Sequence, residues 1–294
     1  MVQSKFKSKT FLPTIGKYCT HRLLMNQEYV DIGKLIQNKS DDILNQYMND
    51  FIREIVTERQ HVNRMTKIDK MCLMLNVYIL SVSPQIQLRS REDETALNID
   101  LYDILDRITN HSEDVYNGTV KTKDVVLEIK TPDQLYDIDP DQIMINCLSK
   151  LKMYKDRFDL TDLTNTQKSN VLGKLPAEIS NQTIDMLKQI NTEYQILVYN
   201  DGEEDVTLGM YDNTMFEFLK LCYTTNLEVE YYNRYIATKH INMQCEYIDQ
   251  LTPAELSVYL KFLEKEIADQ EKSQKKQQGG DVAGSLPVPG GQAM

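Results

Sequence analysis

Cys19 and His21, in the run Cys-Thr-His-Arg, are the closest this chain comes to a catalytic pair. On a strand, side chains two residues apart share a face, so the thiol and the imidazole could meet as nucleophile and base. A third group to orient the imidazole is not visible beside them. His240 and Cys245 are the nearest approach to a metal pair, and Cys222 is the only further candidate. Zinc takes about four ligands in a tetrahedral array, so this set is incomplete. Asp137, Asp139 and Asp141 alternate as calcium ligands do, and Glu92-Asp93-Glu94 and Glu203-Glu204-Asp205 are further acidic runs. An EF-hand loop needs glycine at its sixth position and glutamate at its twelfth; neither falls in place, so these runs read as solvated loops. There is no phosphate loop, dinucleotide fingerprint, nucleophile elbow or zinc-protease helix. No catalytic, cofactor-binding or metal-ligating residue is therefore assigned.

The elements around these residues are clearer than the chemistry. Residues 1–10 carry Lys5, Lys7 and Lys9 among polar neighbours and read as a flexible basic leader. Phe11 to Gly16 reads as an extended segment and turn, with Gly16 free to adopt a positive φ. Helices are expected from Asn26 to Asn38 and from Ser40 to Glu58, the second with Ile43, Tyr47, Phe51 and Ile55 at steps of four. From Met65 to Val82, Met65, Ile68, Met71, Cys72, Leu75 and Ile79 recur at steps of three and four, and Met74, Val77 and Tyr78 broaden the stripe. Lys67, Asp69 and Lys70 are expected on its solvent side. Pro84 stops the helix, and Ile86 and Leu88 then alternate with polar residues as a strand.

Asn117-Gly118 is a turn signal, and Val120 to Ile129 supplies strand-forming residues beyond it. Those strands and the one at 85–89 are expected to share one small antiparallel sheet. The fold class is α+β: a helix-rich N-terminal lobe (11–140) with that sheet, followed by a mainly helical C-terminal lobe (141–273). The second lobe contains helical spacing at Asn181–Glu193, Asn213–Leu227 and Glu228–His240. Tyr194 to Tyr199 could be a strand, with Asp201-Gly202 as its turn. Thr252-Pro253-Ala254-Glu255 places a capping threonine before proline with glutamate three residues on, and Leu256, Tyr259, Leu260 and Leu263 form the expected buried stripe. Residues 274–294, rich in Gly, Pro and Gln, read as a disordered tail.

The formal net charge of -11 and a pI near 5.0 argue against a general nucleic-acid surface, because phosphate binding rests on clustered cations. No run approaches the roughly 18 apolar residues of a membrane span, and the first residues lack the apolar core of a secretory signal. The five cysteines are widely spaced with no C-x-x-C pair, which suits reduced thiols in a cytoplasm. Tyr231, Tyr232 and Tyr235 lie among charged residues and suit either a protein interface or packing between helices.

With these residues laid out, the chain resembles the baseplate hub and hub-assembly proteins of T-even-like contractile-tailed bacteriophages. Leu12-Pro13-Thr14-Ile15-Gly16-Lys17 is similar to that family's Leu-Pro-x-x-Gly-Lys, and an early helix follows Glu28. The likeness resumes at Met65-Thr66-Lys67-Ile68-Asp69-Lys70, runs through Leu73 to Ser81 into Ile86–Arg89, and returns in the late Thr252-Pro253-x-Glu255 helix. Family members often carry a polar or cysteine-containing hairpin after that strand; here the region offers no cysteine ligands.

The resemblance implies a non-enzymatic structural or assembly protein of a contractile-tail baseplate, in its hub or central region, acting by protein–protein docking. It implies no cofactor. Its partners would be other baseplate and tail proteins, with no direct nucleic-acid contact and no membrane span. It would reside in the virion tail baseplate, and in the host cytoplasm during assembly. Apolar or flexible exposure nominates Phe11, Leu12, Ile15, Tyr231, Tyr232, Tyr235, Leu286 and Val288 as partner contacts. Two rivals stay open: a tail-assembly chaperone absent from the particle, and a cysteine-dependent enzyme working through Cys19 and His21.

Overall fold

The computed structural model describes residues 6–89, 96–111, 117–137, 140–161, 163–200 and 205–280. It opens on a hairpin, β1 (Lys7–Leu12) and β2 (Lys17–Arg22), paired antiparallel from Lys7↔Arg22 to Leu12↔Lys17. Lys7 to Thr10, expected in a leader, are thus part of a strand. The turn closes with Gly16 at a φ of 68°, which a residue without a Cβ adopts freely, and its N–H donates to the Leu12 carbonyl.

Helices α1 (Asn26–Gln37), α2 (Asp41–Ile55) and the short α3 (Arg59–Val62) lead to α4 (Lys67–Ser81). In α2 the buried residues are Leu44, Met48, Phe51, Ile52 and Ile55, whereas Ile43 is exposed. The expected stripe was turned by about one residue, because Leu44, Met48 and Ile52 make an equally good row beside it. Helix α4 is enclosed on every side, with Leu80 alone among its residues exposed. It packs against β1, α5 (Leu101–His111), α9 (Thr214–Tyr223) and α12 (Pro253–Gly280). A helix apolar around most of its circumference belongs in a core, and this one is the core's axis.

The strands divide differently from the sequence reading. β3 (Gln85–Arg89) pairs with β4 (Ala96–Asp100) in a hairpin of its own, setting Ile86 opposite Ile99 and Leu88 opposite Leu97. A separate four-stranded antiparallel sheet runs β5 (Asn117–Lys121), β6 (Val125–Lys130), β7 (Leu148–Met153), β8 (Asp156–Asp159), with α6 (Pro140–Cys147) inserted before β7. Asn117-Gly118 lies inside β5, not at the turn, which falls at 122–124 where Thr122 N–H donates to the Val125 carbonyl. Gly118 serves packing instead: a Cβ there would sit 2.5 Å from Met186 Sδ on α8 (Ala177–Glu193).

After α7 (Asn165–Leu172) and α8, β9 (Ile196–Asn200) and β10 (Asp205–Leu208) form a bulged hairpin; Asp201-Gly202 lie outside the described residues. Helices α9, α10 (Leu227–His240), α11 (Cys245–Gln250) and α12 follow among the described residues. The sheet and a single buried cluster reaching from Leu12 to Tyr223 both continue across residue 140, where the sequence reading set a lobe boundary. A second, small cluster of Ala237, Ile248, Leu251 and Leu256 holds α10, α11 and α12 together. Helix α12 runs past Ser273 to Gly280, and 281–294 lie outside the described residues.

Candidate docking surface

The pairing of Cys19 with His21 dissolves once their partners are seen. Both side chains are fully buried on β2. The His21 Nδ1 faces the Arg22 carbonyl at 3.0 Å, so that nitrogen carries the proton and donates. Its Nε2 then accepts from the Thr10 hydroxyl at 2.9 Å, and Thr10 Oγ1 accepts in turn from Asn76 Nδ2 at 2.7 Å. Every position on the ring is thus used in holding β1, β2 and α4 together. Burial disfavours the imidazolium and lowers the His21 pKa. Burial, and then Glu58, push the Cys19 thiol up to about 11, the opposite of an activated nucleophile. Cys222 is likewise buried while His240 and Cys245 are exposed, and among the described residues no cluster of three or more His, Cys, Asp or Glu could hold a metal.

The charges of Thr66-Lys67-Ile68-Asp69-Lys70 are buried, contrary to their expected solvent placement. Thr66 and Asp69 form a capping box, the aspartate accepting from Thr66 N–H at 3.1 Å while Thr66 Oγ1 accepts from Asp69 N–H at 3.4 Å. Asp69 also accepts from Thr14 N–H at 2.9 Å and from the Thr14 hydroxyl. Leu12–Lys17 and Met65–Lys70, distant in sequence, are therefore one junction: the hairpin turn is bolted to the first turn of α4. Burial raises the Asp69 pKa, and the hydrogen bonds from Thr14 and Thr66 oppose that rise.

Lys67 and Lys70 point to other segments. Lys67 Nζ donates to the Asp212 carbonyl at 2.5 Å, and its N–H to the Pro132 carbonyl at 2.7 Å. Burial lowers its pKa, while the carboxylates of Asp137 and Asp212 pull the other way. Asp212 accepts from Asn191 and Thr214, and Asn213 exchanges hydrogen bonds with the Asp137 backbone. Asp137 is itself buried and accepts from Asn146 at 2.5 Å, so it is no solvated calcium-like loop residue. Lys70 Nζ donates to Asn49 Oδ1 at 2.7 Å and to the Asp133 carbonyl at 2.6 Å, and burial pushes its ammonium down to about 8. Three polar residues of one helical turn thus fasten segments far apart in the sequence: Asp69 holds Thr14, Lys67 holds Pro132 and Asp212, and Lys70 holds Asn49 and Asp133. The T-x-x-D spacing in Met65–Lys70 was the available signal for Asp69; nothing in the sequence marked the partners of Lys67 and Lys70.

Of the nominated contacts, Leu12 is wholly enclosed in the core and is no part of any surface. Phe11 and Ile15 are half-buried, and Phe11 packs at a tilt against exposed Tyr18 with ring centroids 5.2 Å apart. Tyr231, Tyr232 and Tyr235 stand out from α10, each about half exposed or more, and so are not packed between helices. Leu286 and Val288 lie outside the described residues. Other large apolar residues on the neighbouring helices are also exposed, which the sequence reading did not foresee. Tyr247 on α11 and Val258, Tyr259 and Phe262 on α12 are exposed too, Phe262 at 65%. Tyr259 was expected in the buried stripe, but only Leu256 is buried there; Leu260 and Leu263 are partly covered.

The scaffold under this apolar face is firmly tied. Thr252 and Glu255 cap α12 reciprocally, Thr252 N–H donating to Glu255 Oε2 at 2.8 Å and Glu255 N–H to Thr252 Oγ1 at 3.2 Å. Arg234 pairs with Asp249 at 2.8 Å across α10 and α11, and Asn26 N–H donates to the Leu251 carbonyl at 2.7 Å. Exposed aromatics on rigid, capped helices are what a protein partner can use at low entropic cost. No helix among the described residues is long and apolar enough to cross a membrane.

No curated protein and no solved structure matches the chain. The family described as T4 bacteriophage base plate protein matches residues 3–213, a stretch that holds both halves of the Thr14–Asp69 junction and the Asp212 anchor of Lys67 and stops before α10. The chain belongs to the T4 bacteriophage base plate protein family, and so is a structural protein of the phage tail baseplate that works against other tail proteins.

Proposed function

We propose that the protein is a subunit of the hub or central region of a contractile-tail baseplate and acts by docking, with no catalytic step. The observation that carries this reading is the set of exposed aromatic residues on α10, α11 and α12, with α10 and α12 each capped by a side chain at the start. The order of Leu12–Lys17, Met65–Lys70 and Thr252–Glu255, similar to hub and hub-assembly proteins, supports the central position. Tyr231, Tyr232 and Tyr235 form the principal contact, exposed Phe262 of α12 adds to it, and the Phe11–Tyr18 pair at the hairpin end supplies a second. Two separated patches let one subunit hold two neighbours, and linking contacts in this way raises effective concentration without new chemistry.

The test is mass spectrometry of purified particles combined with chemical crosslinking. The chain is expected in the particle, with crosslinks from Lys239 and Lys261 to another tail protein. Its presence in infected cells and absence from particles would make it an assembly chaperone instead.

A further inference from the structure

Between α10 and α12 runs a groove of about 700 Å³, walled by Tyr232 and Ile236 on one side and Leu256, Leu260, Leu263 and Ile267 on the other. It is open along the length of α12 from Pro253 to Ile267. Beyond Ile267 the helix is polar on all faces, and the next bulky apolar residues in the sequence are Val282, Leu286 and Val288. A helix polar all round finds no core to join, so this last stretch of α12 serves as a spacer. It ends in Gly279-Gly280, a pair that permits the chain to reverse.

The distances close. From Ile267 to Gly280 the helix rises about 20 Å. Returning in extended form, the chain from Gly280 to Val288 spans up to about 28 Å. The length of chain is therefore enough to bring Leu286 and Val288 to the Leu263–Ile267 mouth of the groove, and the intervening Pro287 favours an extended backbone. We propose that, in the unassembled chain, the Leu286-Pro287-Val288 segment occupies this groove in cis, covering it until a neighbouring subunit takes the site. The occupant fits the apolar strip of the groove: two aliphatic side chains, with no charge from Gly284 to Gly291, against Ile236, Leu256, Leu260, Leu263 and Ile267, between the polar rims of Glu230 and Asn233 on one side and Lys261 and Glu264 on the other. This holds whichever subunit of the baseplate is the neighbour.

Hydrogen exchange on the full chain tests it, comparing the parent with the Leu286→Asp/Val288→Asp variant, whose changes lie outside the packed core. Amides of Leu256 to Ile267 and Tyr232 to His240 are expected to exchange at least about fivefold faster in the variant, with the rest unchanged. Equal exchange in both proteins would overturn the proposal. Protection in the parent that disappears on dilution, together with a dimer in sedimentation, would place a second copy's segment in the groove and also overturn it. The docking role is tested separately by presence in particles, so either idea can fail alone.

Discussion

Helices α4 and α12 each begin with a threonine-led capping box, Thr66 with Asp69 and Thr252 with Glu255, and differ in almost everything that follows. Around α4 every face is covered, and even its charged residues are consumed: Asp69 by Thr14, Lys67 by Asp212, Lys70 by Asn49 and Asp133. Around α12 one narrow row is covered and the apolar residues on the other faces are left over. The difference teaches how a baseplate subunit separates two tasks. Polar groups near α4 are spent on the fold, whereas the large apolar residues near α12 stand in solvent and outside the buried cluster.

The sharpest way to break this comparison is to place the same charge in both helices. Leu75→Asp buries an unpaired carboxylate in the middle of α4, which costs more than about 4 kcal/mol and should leave no cooperative melting transition by circular dichroism. A variant that melts like the parent would show that α4 is not the axis of the core.

Next in size is the junction. Asp69→Ala removes the acceptor for Thr14 and Thr66 and leaves their part-buried donors without it, a loss of about 2 kcal/mol in urea unfolding. Thr14→Val should cost about 1 kcal/mol, and the double variant less than the sum, since both delete one interaction. Strict additivity would separate the hairpin turn from α4.

How far the sequence revealed this follows the same division. The apolar periodicity of α4, the stop at Pro84, the positive φ of Gly16 and the Thr252–Glu255 cap were all legible, because each depends on neighbours a few residues away. Strand partners were not. Which of β3 and β6 share a sheet is settled by pairings across tens of residues, and Asn117-Gly118 looked like a turn when its glycine was needed for α8 to approach. Lys67 and Lys70 were set on the solvent side because local pattern cannot show that Asp212, Asn49 and Asp133 wait for them inside. The tyrosines of α10 were nominated by type, and they are exposed; the exposure of Phe262 and Val258 was not foreseen, because a helix near a core is expected to bury such residues.

Lys70 gives a test with a pH signature. Its ordinary value of 10.5 falls to about 8 in the fold through burial. Between those pH values the unfolded chain holds the proton and the folded chain has released it, so this lysine's contribution to stability rises with pH. The stability of the parent relative to Lys70→Met should therefore grow from pH 8 to 10.5, by up to about 3 kcal/mol. The buried thiols and tyrosines titrate in both proteins and cancel in the difference. A difference flat across that range would mean that Lys70 keeps its proton in the fold.

The smallest effect on stability is expected where the effect on assembly is greatest. Tyr231, Tyr235 and Phe262 project from α10 and α12 with half or more of their surface in solvent, so little apolar area returns to water when they are shortened. The triple change to serine should move stability by less than about 1 kcal/mol, because exposed substitutions away from caps and buried polar groups cost little. Tyr235 does hold Lys239, whose Nζ donates to its hydroxyl at 2.7 Å, but that contact is exposed and contributes little. An interface behaves otherwise: a few aromatic residues carry most of the binding energy, and losing three together costs several kcal/mol of association. A variant that melts within a few degrees of the parent yet fails to enter particles in a complementation assay would locate docking on this face. A variant that both melts normally and assembles normally would move the contact to the Phe11–Tyr18 end, where Phe11→Ser with Tyr18→Ser repeats the test on the other patch.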